Sequence, residues 1–526
     1  MESRPLKTGQ DRDRISALPD DLLLGILGRL SLHEAVRAGV VSTRWRHLPK
    51  REIESARSRT TFSSGSWDAS ACTRRSAPAW SPRGGGTSPT SSSRVDLDVD
   101  DFQAGTTTAV DTMDAFTGAV GRLLPMRPPA AERECDCESR RSVKTLRLRF
   151  HLTSAPDDLS SIGRAVEDTV SRGQTDRLEL GVVPPSSSDS ELTAAVRAEL
   201  GQQFMSFSRV YPVAFRWLTD LSLTSLDLGD SDLSSLMGGC DRLKHLSLTS
   251  CRLARHSVLE IDVPNSVVQS LNLRRCRCMR IELVSVPKLT RLQCESWNSE
   301  DPPLRSGYVP ELRRVILSSH AGVWQTPFAL SNCLSTNVSN LSQLFLNFSC
   351  QMIWIKPEHP KLLTAIFRNI KDFGFWHIFP ECDLSWTLFI LEAAPALKTL
   401  TVSLTRHSCV KTSERSGKKD NVVWEPSKDF KHLNLKVLYM FGFEDEDKVT
   451  NYIRLVMERA AGLQGIMLWS SKTCEACDAI DLESPSRYEV DKACRRRVKE
   501  RLTHGSSSSV KIIICDLDAR GLIITS

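Results

Sequence analysis

The stretch 243-LKHLSLTSCRL-253 decides the fold. Leu246 and Leu248 stand two apart, so in a strand both face the same side and Ser247 between them faces the other. Leu243 precedes them by three, and Cys251 and Leu253 follow where the chain must turn. A strand this short cannot bury its own apolar face. It needs neighbours of the same kind, and the sequence supplies them.

Written with φ for an apolar residue, the core φ-x-x-φ-x-φ recurs along the chain. It appears as VKTLRL (143–148), LTDLSL (218–223), VQSLNL (268–273), LTRLQC (289–294) and LRRVIL (312–317). It continues as LSQLFL (341–346), IKDFGF (370–375), LKTLTV (397–402), LKVLYM (435–440) and LQGIML (463–468). The central residues Leu221, Leu246 and Leu271 are evenly spaced, and the later ones keep similar intervals. Periods of about 20–29 residues with the pattern L-x-x-L-x-L-x-x-N/C-x-L characterise leucine-rich repeats. Unrelated buried parallel strands would also be rich in Leu and Val. The even step argues against them, as do Cys251 and Cys276 at the N/C position. A cysteine there buries a small polarisable side chain and donates weakly to the turn. The expectation is an α/β chain built as an irregular solenoid, a parallel-sheet horseshoe of about a dozen short strands.

The chain has 526 residues, 40% hydrophobic and 25% charged, which are globular values. A net charge of +6 is mild for this length and does not suit a dedicated nucleic-acid binder. The N-terminal MESRPLKTGQDRDR is charged and lacks an apolar signal core, and no apolar run is long enough to span a membrane. The chain is therefore expected in the cytoplasm, the nucleus or both. Its 16 cysteines are expected to be reduced there, with no partner membrane and no nucleic acid.

Residues 18–48, LPDDLLLGILGRLSLHEAVRAGVVSTRWRHL, read as three short helices. Pro19 suits a first helical position, and Asp20 and Asp21 favour the positive end of the helix dipole. Leu22, Leu23, Ile26, Leu27 and Leu30 form a wide apolar stripe. Ser31 and Glu34 have capping-box spacing, and Ser42 can cap a third helix carrying Trp45 and Leu48. Such a module is too small for its own core. Either it caps the next domain, or a partner completes its apolar surface. The Leu18-Pro19-Asp20 start, the Leu/Ile stripe and the VVSTRWRHL close, with Val41, Ser42 and Trp45, resemble an F-box. The resemblance implies that Leu18, Pro19, Leu22, Leu23, Ile26, Leu27, Leu30, Val41, Trp45 and Leu48 bind a Skp-type adaptor, and through it a cullin–RING ubiquitin ligase.

Residues 435–469 read as strand, acidic turn, amphipathic helix and strand, with Val449, Tyr452, Ile453, Val456 and Met457 as the helix stripe. This region resembles the FBD segment that follows leucine-rich repeats in plant F-box proteins, especially those of grasses. The expected organisation is an F-box at 11–50, leucine-rich repeats at 94–400, and an FBD-like region at 401–526 that continues the solenoid. Residues 51–93 are rich in Ser, Arg, Gly and Pro and read as disordered, low-complexity sequence. The expectation for 54–93 is an artefact of gene structure, such as a misassigned exon, a retained intron or a local frameshift, and the alternative is a real flexible linker. The segment 94-RVDLDVDDF-102 reads as the first strand after it.

No H-E-x-x-H, G-x-x-x-x-G-K-[ST] or G-x-S-x-G motif is present. The pair in 474-CEAC-477 has metal-ligand spacing but lacks a second pair, and is expected to be ordinary thiols. CRRRVKERL (494–502) is either a nuclear-import patch or the solvated face of a helix. No cofactor, metal or catalytic residue is expected. The resemblance implies a non-catalytic substrate receptor of a Skp–cullin–F-box ubiquitin ligase. The alternatives are a repeat scaffold that engages no ligase, or a receptor that senses a small ligand.

The middle residue of each φ-x-φ is expected on the concave face. That column reads Arg147, Ser222, Ser247, Asn272, Gln293, Ile316, Phe345, Gly374, Thr401 and Tyr439. One column across, Arg291 and Arg314 fall on successive strands. The expected target-binding residues are Arg291 and Arg314, receiving an acidic or phosphorylated group, with Phe345 and Trp376 as aromatic anchors. The plainer account is that Glu295 and Glu311 neutralise the two arginines.

Overall fold

The alternation of buried and open residues organises the protein into one long parallel sheet. The computed structural model describes residues 94–102, 108–124, 143–152, 156–173, 175–185, 192–253, 258–278, 280–297, 303–319, 328–351, 355–356, 358–405, 430–470, 492–504 and 510–515. These belong to one compact unit, Thr90–Ser526. The F-box-like residues and the segment 51–93 lie outside the described residues.

The strands are β1 (Arg94–Asp98), β2 (Thr145–His151), β3 (Arg177–Val183), β4 (Leu218–Thr224), β5 (Asp227–Leu228), β6 (His245–Thr249) and β7 (Arg252–Leu253). They continue as β8 (Val258–Asp262), β9 (Ser270–Arg274), β10 (Arg280–Ser285), β11 (Arg291–Trp297), β12 (Leu304–Tyr308) and β13 (Arg314–Ser319). The last are β14 (Gln343–Gln351), β15 (Asp372–Ile378), β16 (Thr399–Leu404), β17 (Val437–Phe441), β18 (Gly465–Trp469) and β19 (Lys511–Cys515). Fourteen of these form the main sheet, in the order β1-β2-β3-β4-β6-β9-β11-β13-β14-β15-β16-β17-β18-β19. Strand after strand pairs in parallel with the next repeat, as the recurring motif predicts. A smaller parallel sheet, β12-β10-β8, and the pair β5-β7 accompany it.

The φ residues are the core. Leu246, Leu271, Leu292, Val315, Leu344, Phe373, Leu400, Leu438 and Ile466 stack from strand to strand and are buried. Each fully buried Leu, Val or Phe side chain stabilises the fold by roughly 1.5–3 kcal/mol relative to exposure. The stack belongs to a single apolar cluster running from Val99 to Ile514. The turn after each early strand is also repeated. Ser225, Ser250 and Arg275 all take left-handed backbone angles, with φ of 60°, 54° and 52°. Each donates its amide to the next repeat: Ser225 to Thr249, Ser250 to Arg274 and Arg275 to Glu295. Cys251 and Cys276 follow directly and are buried. The Cys276 thiol reaches the Leu248 carbonyl of the preceding repeat at 3.4 Å, the weak donation expected at the N/C position.

The C-terminal third continues the same sheet through β16, β17, β18 and β19. The helix Asp447–Arg459 between β17 and β18 buries Val449, Tyr452, Ile453, Val456 and Met457, the stripe read from the sequence. The Tyr452 hydroxyl hydrogen-bonds Thr387 at 2.8 Å. Residues of CRRRVKERL form part of the helix Lys492–Thr503, which buries Cys494, Val498 and Leu502 and binds Asp445 and Asp447 through Arg501.

The register corrects one reading. Arg147 is not in the column of Ser222. Arg147 pairs with Glu179, and Glu179 pairs with Asp220, so the column of Ser222 passes through Gly181 to Arg149. The cause is a bulge. Leu178 pairs with Leu218 and Glu179 with Asp220, which leaves Thr219 as an extra residue in β4. Upstream of it, β2 and β3 alternate plainly, with Leu146, Leu148 and Phe150 buried in one and Leu178, Leu180 and Val182 in the other. A search for φ-x-x-φ-x-φ therefore misplaces β2 by two residues and misses β3. Downstream, the expected column from Ser222 to Tyr439 holds strand by strand.

Candidate target-binding face

The face of the main sheet opposite the buried φ side chains carries the residues between the φ positions. On its first strands the charges are paired. Arg147 lies between Asp96 and Glu179, each at 3.8 Å. Arg149 holds Asp98 at 3.0 Å and Asp100 at 2.5 Å. Arg177 holds Glu179 at 2.7 Å and Asp220 at 2.9 Å.

Further along, Arg291 and Arg314 break this pattern. They are Cα partners on β11 and β13. The two carboxylates proposed to neutralise them are engaged elsewhere. Glu295 accepts from Arg274 at 2.9 Å and also from Gln293, and Glu311 accepts from Lys288 at 2.8 Å. Along their own row the next acids are Asp220 on one side and Asp372 on the other. Asp220 is held by Arg177, and Asp372 accepts from Gln343 at 3.1 Å. Among the described residues, Arg291 and Arg314 have no carboxylate partner. Arg291 instead lies 3.5 Å from Nδ1 of His245. Burial pushes the His245 imidazole below its usual pKa against the opposing charge of Asp220, and the charge of Arg291 acts in the same direction as burial.

The Arg314 guanidinium lies over the Phe345 ring, 5.1 Å from its centroid. Phe345 and Trp376 then both border the space over Gly374. A Cβ placed on Gly374 would stand 2.6 Å from Cδ1 of Phe345 and 2.7 Å from Nε1 of Trp376. The four residues expected to bind a target thus lie side by side on this face. Arg291 neighbours Arg314, Arg314 covers Phe345, and Phe345 and Trp376 share the space above Gly374.

The sequence reading missed the rest of the strip. Trp376 stacks on Phe441 at 5.5 Å although β16 lies between their strands. Phe441 stacks on Trp469 at 4.7 Å and 10°, and Trp469 packs on Tyr439 at 5.7 Å. Thr401 and Ser403, the β16 residues between them, are 8% and 6% exposed, so these large rings close over small ones. The signal was present in the YMF of β17 and the MLW of β18, whose last residues are Cα partners. Among the described residues no group of His, Cys, Asp and Glu could hold a metal ion, and no helix is long and apolar enough to cross a membrane. The CEAC pair at 474–477 lies outside the described residues, as do the expected adaptor-binding residues Leu18, Pro19, Leu22, Leu23, Ile26, Leu27, Leu30, Val41, Trp45 and Leu48.

Comparison with known proteins agrees with the two-part organisation. Residues 15–53 match the F-box domain family. A stretch of 36 residues is 64% identical to an F-box protein of Arabidopsis thaliana, At1g80960, and covers 7% of this chain and 7% of that protein. Residues 202–513 match the leucine-rich-repeat domain of At1g61320/AtMIF1, and that match extends across β17 and β18. The chain, an F-box protein with a leucine-rich-repeat sheet, therefore belongs to the At1g61320/AtMIF1 LRR domain family.

Proposed function

We propose that the chain is the substrate-recognition subunit of a Skp–cullin–F-box ubiquitin ligase. Its F-box, with Leu18, Pro19, Leu22, Leu23, Ile26, Leu27, Leu30, Val41, Trp45 and Leu48, docks on a Skp-type adaptor. The open face around Arg291, Arg314, Phe345 and Trp376 captures a target protein. The chemistry belongs to the partner RING–E2 module, and this chain contributes proximity by raising the effective concentration of target lysines near the charged E2. It works in the cytoplasm, the nucleus or both. The region 401–526 is an FBD-like extension of the repeats, of the kind found in grass proteins.

The observation that carries this reading is the pairing of an F-box match with a repeat sheet whose open face sets two cations without carboxylate partners beside half-buried aromatic side chains. Desolvated Arg and aromatic residues are the usual anchors of protein interfaces. Affinity purification of the full-length chain, followed by mass spectrometry, tests it. Adaptor and cullin peptides are expected with the wild type. The double variant R291E/F345A is expected to keep them and to lose the other specific partners. Absence of adaptor and cullin would favour a repeat scaffold without ligase engagement.

A further inference from the structure

Gly374 joins two chemically different halves of the open face. Its backbone is not in the left-handed region, so no conformational demand requires glycine there. What the position requires is space, because any side chain would enter the volume held by Phe345 and Trp376. On one side of it lies the Arg291–Arg314 pair, and on the other the stack Trp376–Phe441–Trp469. Along its own row the cationic pair ends at Asp220 on one side and Asp372 on the other, and toward the strand ends Glu295 is held by Arg274. A polyphosphate backbone needs a longer run of cations. Two adjacent cations followed by aromatic surface suit one anionic side chain and one apolar side chain on the same chain.

The spacing of those two side chains follows from the sheet. Neighbouring strands lie about 4.8 Å apart, so the midpoint of β11 and β13 is roughly 12 Å from β15 across the sheet, and Gly374 lies two residues beyond Asp372, which shares the row of Arg291 and Arg314, so the separation is roughly 14 Å. An extended peptide rising about 3.3 Å per residue crosses that gap in about four residues. We propose that the open face binds an extended peptide segment bearing an anionic side chain at Arg291 and Arg314 and, about four residues away, an aromatic or large aliphatic side chain beside Phe345 and Trp376 above Gly374, and that Gly374 is the position that determines this spacing. The proposal rests on the receptor reading for its biological setting, but peptide binding is measured without the adaptor.

Fluorescence polarisation on the full-length chain tests it, with fluorescein-labelled nonapeptides in a Gly/Ala background. The central residue is Ser, Glu or phosphoserine, and a single Trp is moved from one to four positions away on either side. Glu- and phosphoserine-centred peptides are expected to bind about tenfold more tightly than Ser-centred ones, and the preference between them separates a carboxylate from a phosphate target. Trp four positions from the anion is expected to bind best. Gly374→Val should abolish that positional preference while leaving the salt-sensitive preference for the anion. The double variant R291E/R314E should remove the anion preference itself. Gly374→Ala, whose methyl still meets both rings, replaces Gly374→Val if the latter does not fold. Equal binding of Ser-centred peptides, no effect of Trp position, unchanged behaviour of the Gly374 variant, or no binding by any peptide would overturn the proposal. Loss of adaptor in a parallel pull-down would count against the ligase reading and not against this one.

Discussion

Arg291 and Arg314 are direct cross-strand partners in parallel register, and among the described residues neither has a carboxylate partner. Like charges facing each other across a sheet are destabilising by roughly 0.2–1 kcal/mol. The two positions are not equivalent, because Arg314 also covers Phe345. Arg291→Ser should therefore stabilise the chain by a few tenths of a kcal/mol, whereas Arg314→Ser, which also loses about 0.5–1 kcal/mol of cation–π attraction, should not. Urea unfolding at low and high salt measures this. The gain from Arg291→Ser should shrink as salt screens the wild-type repulsion, and a gain that ignores salt would show that repulsion is not the cause.

Docking through the F-box predicts a sharp separation of functions. Leu22→Arg combined with Leu27→Arg should abolish adaptor binding, since losses at interface hot spots run to about 2 kcal/mol or more each. The repeat sheet should keep its unfolding transition. A folded double variant that still retains the adaptor in a pull-down would refute the docking assignment.

The buried thiols predict slow chemistry. Burial raises the Cys240 thiol to about 12 and the Cys278 thiol to about 11, and pushes Cys294 up as well. The thiolate is the reactive form, so these residues should resist alkylation at pH 8 in the native protein and react only on unfolding. Counting thiols under denaturing, non-reducing conditions should find all 16 free. Several disulfides in freshly isolated protein would overturn the expectation of a reducing compartment.

His432 predicts a loss of stability in mild acid. The Leu435 amide donates to its Nδ1 at 2.9 Å, and its Nε2–H donates to the Ala394 carbonyl at 3.0 Å, an arrangement that fits the neutral ring. Burial pushes its pKa below the usual value, against the opposing Ala394 hydrogen bond. The unfolded chain therefore binds more protons below about pH 6.5, and the contribution present above that pH is lost as the pH falls toward the depressed pKa. His151 and His245 shift in the same direction, chiefly through burial. Replacing His432 with Gln should lower stability at pH 7.5 and make its decline toward pH 5.5 shallower. An unchanged slope in urea titrations across that range would assign the acid sensitivity to the other two histidines.

The sequence by itself determined the repeats, the parallel sheet, the buried φ residues and the open column from Ser222 to Tyr439. It could do so because strand alternation has a period of two and each repeat restates it locally. It also placed Cys251 and Cys276 in buried turns and Arg291 beside Arg314. The tertiary structure alone decided the rest. The bulge at Thr219 shifts β2 and β3, so that Arg149 and not Arg147 shares the column of Ser222. The edge strand β19 escaped the motif because the residue three before Ile512 is Ser509, not an apolar one. Which acid neutralises which arginine was also hidden, because Glu295 could face Arg274 or Arg291 until the side chains were placed. The same holds for the aromatic strip. Trp376, Phe441 and Trp469 are far apart in sequence, and only the stacking of β15, β16, β17 and β18, with small residues between the large ones, lets their rings meet.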